Sequence, residues 1–267
     1  MHISLSSTML DVIEQKKIKP HGMSSEKARR VKERGHKKEF IYANLIKGQL
    51  VRGTKKEDVR DINGKIHSLK GGGEIQKKSG RHGKWQIFLY KKSRFEHEEG
   101  FHGREFMLEI LETFPERYRQ YQENKKAVKE KIKIPMRNLK MFLSDAQNKA
   151  KFFDKAFFDG KVDFLVIYDD EAFYIFDKEE VIRTLAQGLT VDNSSTIQKV
   201  VFKYKNKIVA EIEVRTTDDG KYPAILFNML KRQACDLLTD NIVRKKRFNP
   251  VIYAYGRAID YFENYPL

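Results

Sequence analysis

The dipeptide Asn63-Gly64 constrains this chain more than any other feature. Glycine takes the left-handed backbone that a tight turn needs, and asparagine suits the position before it. Asp58-Val59-Arg60-Asp61 precedes the turn and Lys65-Ile66-His67-Ser68-Leu69-Lys70 follows it. The pattern predicts a β-hairpin over Asp58 to Lys70. A three-residue loop, Ile62-Asn63-Gly64, makes a type I turn closed by a glycine bulge. It pairs 61 with 65, 60 with 66, 59 with 67 and 58 with 68. Asp58 then faces Ser68, with Lys70 two residues on along the same face. A two-residue loop pairs 58 with 69 and turns Asp58 away from Lys70. The chemistry of the segment therefore hangs on hairpin parity.

With the three-residue loop a carboxylate, a hydroxyl and an ammonium converge. A divalent-cation site needs a second carboxylate, and Glu39, on a preceding segment that reads as helix, is the nearest upstream candidate. Such oxygen ligands suit Mg²⁺, which keeps several waters and binds through few carboxylates. The metal would stabilise charge on a phosphate and activate a water. Lys70 would orient that water or neutralise the developing charge.

These residues resemble the PD-(D/E)xK nucleases, and within them the type II restriction endonucleases. In that family an Asp ends one strand and an acid-x-Lys lies on the next; a Ser-x-Lys form also occurs. Asp58 matches the first carboxylate, Ser68-Leu69-Lys70 the second half, and Glu39 the helix glutamate of many members. The likeness covers about residues 35–95, with no Pro before Asp58 and Ser68 in the place of the acid. A second assignment, ranked lower, stays open: Glu74-Ile75-Gln76 is similar to a Glu-x-Gln form of the motif, paired with Asp61 or Asp58, and Glu74 or Gln86 would complete the metal shell. The resemblance implies an α/β fold with a mixed central sheet flanked by helices. It implies Mg²⁺-dependent, sequence-specific hydrolysis of double-stranded DNA. Asp58, Lys70, Ser68 and Glu39 would be the catalytic set and Asp58, Glu39 and Glu74 the metal ligands. A homodimer would match a palindromic site. A DNA methyltransferase would be its genetic rather than physical partner, in a bacterial or archaeal cytoplasm.

Charge points the same way. Among 267 residues, 53 Lys/Arg against 37 Asp/Glu leave a net +16. Residues 1–95 hold 24 basic and 9 acidic residues, +15; the remainder holds 29 and 28, +1. A field this lopsided favours a polyanion, most simply nucleic acid. Lys55, Lys56, Arg81, His82 and Lys84 are the expected phosphate and groove contacts of the first third; Arg215, Lys221 and Arg232 are those of the later part. The loop Arg215 to Tyr222 is the best stocked with groups that read base edges.

Several classes are excluded. A single cysteine, Cys235, rules out a disulfide framework and a four-Cys zinc site. No His-Glu-x-x-His and no Gly-x-x-x-x-Gly-Lys-Ser/Thr occurs, so neither a helical zinc site nor ATP use is expected. Residues 1–17 lack the pattern of a secretory leader and no run nears ~20 apolar residues, so a cytoplasmic chain without membrane partners is expected. The rival functional classes are a non-catalytic nucleic-acid-binding protein and a repair or RNA nuclease on the same core. Asp163, Glu211 and Glu213 form a rival carboxylate set, set lower because no lysine sits at the expected place.

Expected elements include helices at 24–34, ended by Gly35, and at 36–47. A strand follows at 85–90, then helices over 97–130 broken at Pro115. Strands are expected at 162–168 and 172–176 and a helix at 177–185. A hairpin at 197–215 and a helix at 225–238 follow, and Arg244 to Arg247 reads as a basic helix end. A weak boundary in 130–155 separates a basic core, 1–145, from a C-terminal sheet-and-helix region, 146–267, contributing to DNA recognition.

Overall fold

The computed structural model describes residues 25–51, 56–71, 83–98, 100–115, 118–169, 171–216 and 223–267. Residues up to Lys37 form one unit and Lys38–Leu267 another. Helix α1 (Ser25–Leu45) runs through Gly35 instead of stopping there. The ion pairs Arg30–Glu26 and Arg29–Glu33, four residues apart, support turns that a mid-helix glycine weakens by ~1 kcal/mol.

Strands β1 (Gln49–Leu50), β2 (Val59–Arg60) and β3 (Ile66–Gly71) form an antiparallel meander. Strand β4 (Lys84–Lys91) follows and belongs to a second sheet. A helical stretch comes next: α2 (Lys92–His97), α3 (Arg104–Glu112), α4 (Tyr118–Glu123), α5 (Lys125–Lys131), α6 (Lys133–Ser144) and α7 (Ala146–Phe153), closed by a π-helical turn at Asp154–Phe158. The chain then returns as β5 (Phe164–Tyr168), parallel to β3, and β6 (Phe173–Asp177), antiparallel to β5. Beyond α8 (Lys178–Gly188) come β7 (Thr190–Asn193), β8 (Lys199–Tyr204), β9 (Lys207–Thr216), β10 (Pro223–Leu230) and α9 (Lys231–Asn241). Strands β11 (Lys245–Asn249) and β12 (Ile252–Tyr255) and helix α10 (Arg257–Glu263) end the fold.

Among the described residues the strands make a mixed seven-stranded sheet, β1-β2-β3-β5-β6-β12-β11, and an antiparallel five-stranded sheet, β4-β10-β9-β8-β7. The architecture is thus α/β with a mixed sheet and flanking helices. Residues on both sides of 145 build each sheet, β3 beside β5 and β4 beside β10.

Alternation along the strands gives the first sheet two buried faces. On one, Leu69, Phe164, Val166, Ile175 and Ala254 share a core with Tyr42 of α1, Ile46 just after it and Phe262 of α10. On the other, Ile66, Leu165, Ile167, Phe176 and Tyr255 share a core with Phe88, Phe202, Ile212 and Phe227 of the second sheet and with α3 and α6–α9. The mixed sheet is therefore the middle layer of three.

Two further expectations fail. The stretch from Ile225, expected as helix, begins as central strand β10, flanked by β4 and β9. Its continuous apolar run, buried on both faces, has no period that separates strand from helix. Arg244 to Arg247 lies largely on strand β11 at the sheet edge rather than at a helix end, which suits the charged side chains that protect such edges.

A buried polar network ties the hairpin to the helical layer. Asp61 Oδ1 accepts from the N–H groups of Asn63 and Lys65, both at 2.9 Å. Asp61 Oδ2 accepts from Tyr261 at 2.6 Å and meets His67 Nε2 at 3.1 Å. The Tyr42 hydroxyl meets His67 Nδ1 at 3.0 Å. Burial holds His67 below its usual 6.5, although Asp61 pulls the other way. Burial also pushes Asp61 up, but hydrogen bonds from His67 and Tyr261 outweigh it and leave the carboxyl below its usual 3.8. Both lowered groups contribute stability above their ordinary pKa values, and it is lost as pH falls. Wild-type melting temperature should therefore drop as pH falls through 6.5. His67→Gln should lose that part of the slope and be ~1–3 kcal/mol less stable at neutral pH, because Asp61 and Tyr42 lose a buried partner. Thermal melts across pH check this; an unchanged slope in the variant counts against it.

Candidate active site

The hairpin takes the parity of the three-residue loop. Val59 pairs with His67 and Arg60 with Ile66. Asp61 N donates to Lys65 O at 2.9 Å and Asp58 N to His67 O at 3.1 Å. Gly64 has φ +81°, where a non-glycine residue is strained. This register places Asp58 opposite Ser68 at the open end of the hairpin.

The side chains then meet. Asp58 Oδ2 accepts from Leu69 N at 2.6 Å and from Ser68 Oγ at 3.3 Å. Lys70 Nζ donates to Ser68 Oγ at 3.0 Å and to Leu69 O at 3.3 Å. Ser68 is buried, and a small hydroxyl in this position bridges carboxylate and ammonium. Burial pushes the Asp58 carboxyl above its usual 3.8; Lys70 and the Leu69 amide pull it down, and Glu39 pushes it up. Glu39, on α1, is thus close enough to act on Asp58 as a like charge.

Like charges such as Glu39 and Asp58 repel, and a cation bound near both would offset the repulsion. Both hydrogen bonds to Asp58 fall on Oδ2; no described residue donates to Oδ1. The donor set is hard oxygen, which suits Mg²⁺ with water completing its shell. Among the described residues no three His, Cys, Asp or Glu side chains form a metal cluster. Asp58 and Glu39 are the pair that fits, and Glu74 lies outside the described residues.

The expected DNA contacts divide. Lys55, Arg81, His82 and Lys221 lie outside the described residues. Lys56, expected to grip phosphate, turns inward: its ammonium donates to Lys155 O at 2.9 Å and to Ala156 O. The π-helical turn there departs from the α-helical bonding pattern, and these two carbonyls accept from Lys56. Burial lowers Lys56 to about 8, with Lys70 among the charges that act on it. Lys84 is half-exposed and ion-paired with Glu211. Arg232 is exposed in the first turn of α9, whose Lys231 N donates to Gly83 O at 3.0 Å.

Trp85 Nε1 donates to Gly71 O at 2.7 Å, joining the start of β4 to the end of β3. Lys84 and Arg232 are therefore at the Lys70 end of the second sheet. Arg215 is exposed at the other end: it pairs with Ala224, and Ala224 with Lys91. Ala224 and Leu230 are six steps apart along β10, ~20 Å at ~3.4 Å per residue. The rival carboxylates are occupied structurally. Asp163 Oδ2 accepts from Ile66 N at 2.8 Å and Oδ1 from Lys65 Nζ at 2.9 Å. Glu211 is bound by Lys84 and Lys199, and Glu213 by Lys199.

The Asp61–His67–Tyr42–Tyr261 network was not legible as a unit. Tyr261 lies 200 residues from Asp61, and its OH-bearing ring gives no local signal of that pairing. No family model, curated protein sequence or solved structure matches the chain.

Because burial raises Asp58, the folded state loses stability as pH climbs from 3.8 through the folded value. Asp58→Asn has no charge to bury. It should melt higher at neutral pH, by about 2–4 °C, the shift that ~1 kcal/mol brings in a chain of this size. The gain should vanish under acid conditions where Asp58 is protonated in both states. Calorimetry across pH checks it, and a lower melting temperature for Asp58→Asn at neutral pH contradicts it.

Proposed function

We propose that this chain is a Mg²⁺-dependent endonuclease of the restriction type, cutting double-stranded DNA at a short sequence. The observation that carries the reading is the convergence of Asp58, Ser68 and Lys70 across the hairpin, with Glu39 acting on Asp58 from α1. A buried carboxylate that needs only to bond Leu69 N and Ser68 Oγ is served as well by asparagine, without the cost of charge.

In this reading Asp58 and Glu39 would hold the ion, whose contribution when bound would be to offset phosphate charge and to ease deprotonation of an attacking water. Lys70, steered by Ser68 Oγ and Leu69 O, faces the phosphate side of the pair. It orients the water oxygen toward phosphorus and offsets charge as the P–O bond to the water forms and the bond to the leaving oxygen breaks. The basic first third binds backbone that every sequence shares, so base contacts must supply specificity. Arg232 and Lys84, at the Lys70 end of the second sheet, are placed for that work, and Arg215 would reach DNA farther along. A two-fold dimer is the arrangement that cuts both strands of a palindrome.

Supercoiled plasmid with Mg²⁺ tests the chemistry. Wild type should nick or linearise it, and Asp58→Ala and Lys70→Ala should lose activity by at least a hundredfold while retaining DNA binding. Unchanged rates in both variants refute the site, and no cleavage by wild type with intact binding favours the non-catalytic class. Discrete fragments from a long DNA mark a sequence-specific enzyme, whereas a smear marks a general nuclease.

Salt supplies a separate check on the charge. Each phosphate neutralised adds roughly −0.9 to the slope of log K against log salt. Binding should weaken steeply with salt, and a slope near zero would make the basic surplus a solubility device.

A further inference from the structure

The sheet face that carries Ser68 and Lys70 continues sideways into aromatic residues. Lys70 lies beside Ile167, Ile167 beside Tyr174, and Tyr174 beside Tyr253. Two residues back along β3, Ser68 neighbours Leu165, then Phe176, then Tyr255. Strands in a sheet lie ~4.8 Å apart, so Tyr174 stands two strands, ~10 Å, from Lys70. Here a pocket of about 260 Å³ opens, with Ile167, Tyr174, Phe176 and Tyr255 among its walls and Cys235 and Thr239 added by α9.

The walls are ordered π surfaces. Tyr174 stacks on Tyr253 with centroids 5.6 Å apart, and Phe176 on Tyr255 at 4.6 Å. The Tyr174 hydroxyl donates to Asp169 Oδ2 at 3.1 Å, which fixes its ring. Lys245, an exposed residue, holds its ammonium 5.6 Å from the Tyr174 centroid, 4.4 Å from Tyr253 and 5.7 Å from Tyr255. Arg232, Cys235 and Thr239 recur on α9 at spacings of three and four, so Arg232 shares the helix face that lines the pocket.

The volume falls below the ~300–1,000 Å³ of pockets that enclose drug-sized ligands, and suits one ring system with a short substituent. Stacked aromatic walls select a planar, unsaturated group, and a cation at the edge selects an anionic attachment. A nucleobase on its sugar-phosphate has both properties. The pocket also shares its sheet face with Lys70, about three base steps away at the ~3.4 Å rise of a strand. We propose that it takes up one unstacked nucleobase of the strand whose phosphodiester lies at Asp58 and Lys70. The position of that strand rests on the nuclease reading; the chemistry of the pocket does not. Aromatic side chains hold bases drawn out of a stack in the same way elsewhere, and every base offers a π-face to them.

The test compares two single strands of equal length and charge, one of mixed bases and one abasic throughout, bound to the full chain with Ca²⁺ replacing Mg²⁺. Wild type should bind the base-bearing strand at least fivefold more tightly, the lower end of what one base–aromatic stack supplies. Tyr174→Ala should abolish that preference. Thr239→Leu, on an exposed position at the pocket, narrows it without touching the core and should reduce the preference as well. Equal binding of the two strands by wild type overturns the proposal, as does a preference that survives in both variants. Binding of free deoxynucleoside monophosphates with no preference between the strands also overturns it, in favour of a free-nucleotide site. Plasmid cleavage keeps the two readings apart. Asp58-dependent nicking without base preference sinks the pocket alone, and base preference without nicking sinks the nuclease alone.

Discussion

The buried carboxylate of Asp61 is the constraint on which the site depends. It receives two amide hydrogen bonds from the turn, one from Tyr261 of α10 and the contact with His67 on β3. Those bonds fix the loop at three residues. A one-residue slip in an antiparallel pair sends every side chain to the opposite face. Here a slip would put Ser68 and Lys70 among the apolar side chains under α1 and leave His67 and Asp61 without each other. The polar network on one face of β3 thus determines where the Asp58–Ser68–Lys70 group points on the other.

That arrangement explains why so short a strand as β2 is reliable. Two residues of ladder hold little by themselves. Asp61, anchored to α10 through Tyr261 and to α1 through His67 and Tyr42, supplies the fixity that strand length does not. On the far side, Leu69 N binds Asp58 directly, so backbone pairing and carboxylate placement are one interaction. Glu39 belongs to the same helix as Tyr42, one turn earlier, so the helix that buries Tyr42 against His67 also carries Glu39 to the site.

The second sheet meets this centre at one seam. Trp85 reaches Gly71 O, and a Cβ on Gly71 would stand 2.8 Å from the Tyr168 hydroxyl, so that ring would have to shift. Strand β3 therefore ends in a residue without a side chain where two sheets and Tyr168 crowd together. From that seam the aromatic row runs across β5, β6 and β12, and α9 leaves β10 to line the same pocket. Catalytic candidates, basic residues Lys84 and Arg232, and the tyrosine pocket lie on elements that this seam brings together.

The local grammar of the chain determined the hairpin and its glycine turn, because turn chemistry and period-two alternation act over a dozen residues; it left two loop lengths open, and the Asp61 network decided the one that sets Asp58, Ser68 and Lys70 on one face. It also determined the strands from Trp85, Phe164 and Phe173, whose apolar alternation or short apolar runs are local signals. Tertiary structure decided the rest. An apolar run such as Ala224 to Leu230 has no period of its own, so its pairing with β4 and β9 made it a strand. Lys56 reads as a surface cation, yet the carbonyls of a π-helical turn about a hundred residues away drew it inward. The same holds for Tyr261 on Asp61 and for the pocket of Tyr174 and Tyr255. Each joins residues far apart in the chain, and sequence pattern carries little information about a contact whose partners no short period relates.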